Sequence, residues 1–119
     1  MNLFNHKTVA AILFTAFSTQ AFAECDMPAS PIIPDGNVAS LDELVSAQKA
    51  MKMYQSSLGG YRECLTGMEQ AIDPEAEGAQ EKSKVILDEY NASVDSEAAV
   101  AEEFNAAVRV FKTRQPAEE

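Results

Sequence analysis

Histidine is almost missing from this chain: the single one, His6, lies within the first twenty-three residues. Residues 24–119 therefore carry no imidazole for a catalytic triad, a general base or a zinc site. Cysteine is scarce too, with Cys25 and Cys64 alone, and no Cys-x-x-Cys pair sets a resolving thiol beside a reactive one. The glycines form neither a phosphate-cradling loop nor a nucleophile elbow. Positive charge is short as well: nine Lys and Arg face nineteen Asp and Glu, a net charge of −10. The basic stripes that nucleic acid and anionic lipid surfaces require are absent, and the first use of such a charge is solubility.

Acid–base chemistry would fall to carboxylates, and no pair stands out at the separation a glycosidase needs. Met27, Met51, Met53 and Met68 raise the thought of a soft site for cuprous ion. Met51 and Met68 belong to an apolar helical seam, however, which assigns them to packing. The expectation is a protein that is not an enzyme, with no catalytic residues, no cofactor and no metal.

What is present begins with an export signal. Lys7 gives a positive start, Val9 to Phe17 a short apolar core, and Ala21-Phe22-Ala23 a small-x-small cleavage site, so residues 1–23 read as a signal peptide. The core is too short for a permanent membrane span. Glu24, where lipoprotein processing wants a small residue, argues against a lipid anchor on Cys25. Removing residues 1–23 takes away Lys7 and no acid, leaving one small acidic domain in a periplasmic or secreted setting, with no stable membrane anchor.

Residues 24–39 form a proline-punctuated arm with Pro28, Pro31 and Pro34. From Asp26 to Val38 an extended chain covers about 40 Å at roughly 3.1 Å per residue. A helix from Ser40 to Cys64 covers about 36 Å. An arm folded back along this helix brings Cys25 beside Cys64, and only one intramolecular bridge exists in a compartment that favours oxidation. Two free thiols or an intermolecular bridge are the alternatives that the residues leave open.

Two helices account for residues 40–114, the first about 40–72 and the second about 74–113, followed by a tail, 115–119. Ser40-Leu41-Asp42-Glu43 is a capping box. Leu44, Met51, Leu58, Leu65 and Ile72 recur every seven residues, with Ala47, Tyr54, Tyr61 and Met68 three places after them. Asp73-Pro74-Glu75 supplies a cap and a first-turn proline for the second helix. There the expected seam is Leu87, Val94, Ala101 and Val108 with Tyr90, Phe104 and Phe111, interrupted by Glu97, while Val85, Ile86, Val100 and Val110 widen the apolar face. The short connection folds the helices into an antiparallel hairpin. A row of mostly small residues on the first helix, Ser46, Ala50, Met53, Ser57, Gly60, Cys64 and Gly67, offers a bed for the arm. The fold class expected is all-α: a two-helix hairpin stapled to an extended N-terminal arm.

Cys25-Asp26-Met27-Pro28, Pro31, Pro34-Asp35-Gly36, then Glu43 to Ala50, Tyr54-Gln55 and Tyr61-Arg62-Glu63-Cys64-Leu65 carry a resemblance over about residues 25 to 66. In them the chain resembles a group of short, uncharacterised exported proteins of proteobacteria that share a Cys-x-x-Pro-x-x-Pro arm and a Tyr-x-x-Cys-Leu helix end. The resemblance implies a periplasmic setting and the Cys25–Cys64 bridge, and it brings no catalytic residues.

The function expected is that of a protein–protein interaction or structural module of the cell envelope. Its leftover apolar face, expected at Val85, Val100 and Val110 near Tyr54 and Tyr61, would dock a second copy or another envelope protein. A holdase-like chaperone or small-ligand binder, with a groove between arm and hairpin, is the alternative.

Overall fold

The capping box forms as the residues dictate. The Glu43 N–H donates to Ser40 Oγ at 3.1 Å and the Ser40 N–H donates to Glu43 Oε2 at 2.7 Å, opening helix α1, Leu41–Gln70. Helix α2 is Ala79–Arg114. The computed structural model describes residues 24–114; the signal peptide expected at 1–23 and the tail, 115–119, lie outside the described residues.

As contacts advance along α1 they retreat along α2: Tyr54 bonds Ser96, Arg62 bonds Ser93, and Glu69 bonds Ser83. The pair is thus an antiparallel hairpin, and the chain is an all-α two-helix fold with its N-terminal region bridged to α1. The expected α1 seam is the observed one. Leu44, Ala47, Tyr54, Leu58, Tyr61 and Leu65 are buried, and Met51, Met68 and Ile72 pack against them. Leu58 and Leu65 are fully enclosed, each worth about 2 kcal/mol of transfer from water.

Two expectations for α2 are corrected. The helix begins at Ala79 rather than Pro74, because Asp73 caps a turn instead of a helix: its Oδ1 accepts from the Glu75 N–H at 2.9 Å and its carbonyl from the Ala76 N–H at 3.0 Å. Gly78 then takes φ 77°, a left-handed conformation that helix cannot run through and that glycine adopts without cost. The buried row is also displaced by one residue. It is Ala79, Ile86, Ser93, Val100 and Ala107, whereas Leu87 and Val94 are exposed. Size misled the sequence reading, because α1 supplies the bulk of the seam and α2 meets it with small side chains at three of these five positions. Of the companion row, Phe104 and Phe111 pack on Ala39, Leu44 and Ala107 as expected, whereas Tyr90 is exposed.

The arm is extended, and its burial has a period of three. Cys25, Pro28, Pro31 and Pro34 are half-buried while Asp26, Ala29, Ile32 and Asp35 are exposed, as a polyproline II strand with three residues per turn lays one edge on a surface. The bed differs from the expected one. Ser46, Met53, Ser57, Gly60 and Gly67 are exposed, and a Cβ on Gly60 or Gly67 would touch nothing. The arm instead covers the groove between the helices. There Ile33 packs on both core clusters and Ser30 donates to the Tyr54 hydroxyl at 3.3 Å. An apolar strand gains more by sealing a groove with two walls than by lying on one helix face.

Candidate functional site

The staple sits at one end of the arm. Cys25 and Cys64 form the disulfide, with Cα atoms 5.8 Å apart, and the Met68 sulfur lies 3.2 Å from Cys25 Sγ. At the other end the arm turns at Asp35-Gly36-Asn37. Asp35 Oδ1 accepts from both the backbone and the side chain of Asn37 at 2.9 Å. These bonds, the backbone one foremost and helped by the Arg114 charge, hold the Asp35 carboxyl below its ordinary value. Gly36 abuts α2 so closely that a Cβ would collide with the Ala107 carbonyl. The Arg114 Nε donates to the Gly36 carbonyl at 3.2 Å and its terminal nitrogen to the Ala39 carbonyl. Tyr61 is buried on this side of α1, and burial, followed by the Glu89 carboxylate, pushes its phenol up.

The other side of the hairpin has no such cover. A groove of about 430 Å³ runs between the helices there, lined by Gly59, Arg62, Glu63, Thr66, Gly67, Gln70 and Tyr90. Its floor is a polar layer set into the seam. Arg62 donates to Glu97 Oε2 at 2.7 Å and to Ser93 Oγ at 2.9 Å, and its guanidinium stands 5.9 Å from the Tyr90 ring centre. Ser93, fully buried, donates its own hydroxyl to the Tyr90 carbonyl at 2.6 Å. Every group in this layer has a partner, so a polar side chain inside the seam costs little.

Glu97 was anticipated as the interruption of the α2 seam, and it is partly exposed. Its partner Arg62 and the buried Ser93 were missed. Counting back through the hairpin does not find them: the Tyr54–Ser96 and Glu69–Ser83 contacts set Glu97 near the level of Gln55, and Arg62 reaches it only through the length of its side chain.

Of the face expected to dock a partner, Val85 is exposed and Val110 half-buried, and the other members are corrected. Val100, Tyr54 and Tyr61 are core residues, each at most 7 % exposed. The apolar side chains left to solvent on α2 beside the open groove are Leu87, Tyr90 and Val94, at 58, 37 and 44 %. They recur with the helical period, and α1 adds Leu41 and Val45 near the opposite end of the same side. A second hollow of about 430 Å³ lies between arm and α1, bordered by Ile32, Pro34, Ala47 and Ala50 with Asp42, Glu43 and Ser46.

Among the described residues no three His, Cys, Asp or Glu side chains converge as metal ligands, and no helix is long and apolar enough to cross a membrane. No protein-family model, curated protein or solved structure matches this chain. Its functional reading therefore rests on its own geometry.

Proposed function

We propose that this chain is a non-enzymatic, exported interaction or structural module of the cell envelope, a stapled hairpin whose uncovered side docks a protein partner. The carrying observation is the exposed Leu87, Tyr90 and Val94 stripe beside an open interhelical groove. Two helices bury one stripe each and remain short of a full layer on the side the arm does not reach. Exposed apolar side chains in helical register are the ordinary mark of helix association. Export is supported by the residue pattern of 1–23 and by a bridge of the kind that oxidising compartments maintain.

Photo-crosslinking tests the reading in producing cells. A photoreactive side chain at Leu87 or Val94 is expected to give discrete protein adducts that the same group at Asp95, one position on, does not give. Equal or absent adducts at all three positions defeat it.

The hollow bordered by Ile32, Pro34 and Ala50 favours a second reading, a holdase or small-ligand binder. Ile32 is 93 % exposed there, an apolar side chain presented on a rigid arm. Suppression of client aggregation by a protein that stays monomeric, and loss of that suppression in Ile32→Asp, would select this reading over the first.

A further inference from the structure

We infer that Cys25, Cys64 and Met68 form a three-sulfur site that takes a single cuprous ion when the bridge is open, the metal then closing the arm onto α1 in place of the disulfide. This goes beyond the interaction reading and does not depend on it.

The first observation is convergence. The Cys25–Cys64 bridge joins the arm to α1, and the Met68 sulfur lies 3.2 Å from Cys25 Sγ, so three sulfur atoms meet at one point. Cys64 and Met68 stand four residues apart on α1, which places both on one helical face. Cys25 and Met68 pack against the cluster of Tyr54, Leu58, Tyr61 and Leu65, so the core fixes two of the donors. Cys64 is exposed, which gives reductant and ion a way in.

The second observation is the kind of donor. Packing on the core accounts for an apolar side chain at Met68, as it does for Ile72 one turn on. It does not ask for a sulfur atom set on the bridge. Two thiolates and a thioether are the soft set that selects Cu(I) over harder divalent ions, which look for carboxylate, carbonyl or imidazole. A structural zinc site accepts thiolate but wants four donors in a tetrahedron, and here there are three.

Reach agrees with this. A metal–sulfur bond of about 2.3 Å sets three sulfurs around one ion roughly 4 Å apart. Met68 would move by less than about 1 Å for that, and the opened cysteines, with Cα atoms 5.8 Å apart, part by side-chain rotation. Uptake exchanges protons for metal. The Cys25 and Cys64 S–H bonds break, two Cu–S bonds form, the Met68 sulfur donates a lone pair, and two protons leave to water; no electron changes hands. The free thiols exist before the bridge has formed, or after a dithiol has opened it by exchange and taken the disulfide onto itself.

The test uses the purified chain, reduced by a phosphine without oxygen and titrated with Cu(I) against a chromophoric cuprous chelator. The reduced chain is expected to draw one ion from the chelator and the oxidised chain none, and X-ray absorption should count three sulfurs around the copper. Met68→Leu conserves volume and should keep the fold, yet weaken the ion at least about tenfold and lower the sulfur count to two. Met51→Leu, a thioether of the same core away from the bridge, should change neither. Hydrogen exchange at residues 26–33 should be fast in the reduced, metal-free chain and slow again toward that of the oxidised chain once copper is bound.

No uptake by the reduced chain, equal uptake by the oxidised one, an unchanged affinity in Met68→Leu, or zinc held as tightly as copper would each overturn the inference. If Met68→Leu fails to fold, the sulfur count in the unaltered chain decides alone, and a count of two overturns it.

Discussion

Along one side of the hairpin the groove between α1 and α2 holds the arm, from Cys25 to Ala39; along the other the same two helices leave it open beside Arg62 and Tyr90. The covered side is closed at three places along its length. A disulfide fixes one end, a glycine pressed on the Ala107 carbonyl fixes the other, and the hydroxyls of Ser30, Tyr54 and Ser96 join arm, α1 and α2 between them. On the open side the glycines lie on the helix with nothing over them, and the polar layer faces solvent through a partly exposed Arg62 and Glu97. The contrast teaches that the two sides serve different ends. The arm is internal structure, whereas the open groove is surface that the molecule keeps accessible.

Removing the staple should produce the largest change. Replacing both cysteines with serine frees a loop with 39 residues of separation, costing about 4 kcal/mol in the chain-entropy model. Denaturant unfolding of the double variant should show this loss in the midpoint, and hydrogen exchange should rise at residues 26–33 while α1 and α2 keep their helical signal. A loss below about 1 kcal/mol would mean that the arm is held by its packing and the bridge is incidental.

Gly36→Ala attacks the other end of the arm. The added methyl must displace the Ala107 backbone or lift the turn, and lifting it breaks the two Arg114 bonds. A destabilisation of about 2 kcal/mol follows from overpacking against backbone. Thermal unfolding measures it, and Gly60→Ala is the control on α1: with open space over it, that change should stabilise by about 1 kcal/mol. If both alanines acted alike, the close approach at Gly36 would not exist in solution.

Much of this was legible beforehand, and the rest failed for definable reasons. The α1 seam could be read because its heptad rows are apolar without interruption and mostly large, and Ser40 and Glu43 state their cap by identity and spacing. The Cys25–Cys64 pairing followed from two lengths that match. The α2 seam misled because burial there selects Ala79, Ser93 and Ala107 for fit, while the larger Leu87 and Val94 stay outside. A rule that ranks rows by apolarity therefore chose the neighbouring one. The arm's bed differs for a related reason: small residues on α1 suggest a close neighbour, but the glycine that needs the room is Gly36 on the arm. The open groove could not be read at all, since it is defined by what the arm leaves uncovered.

The smallest expected effect concerns the floor of that groove. Arg62→Leu leaves Glu97 without its ion pair and Ser93 without its donor, though Ser93 still donates to the Tyr90 carbonyl. The pair is 18 and 29 % exposed, so water screens part of the loss and the cost should be about 1 kcal/mol, well short of a fully buried pair. Adding Glu97→Gln to Arg62→Leu removes the stranded charge, and the double variant should recover part of that loss; a coupling of about 0.5 kcal/mol or more between the two sites is expected in a double-mutant cycle of urea unfolding. If the layer also sets the helix register, the double variant should keep its stability while its amide spectrum broadens toward several packings, as a seam without polar partners loses its one preferred alignment. A sharp spectrum with no measurable coupling would assign the layer to solvation of the open groove, and would leave register to Tyr54, Leu58 and Leu65 beneath the arm.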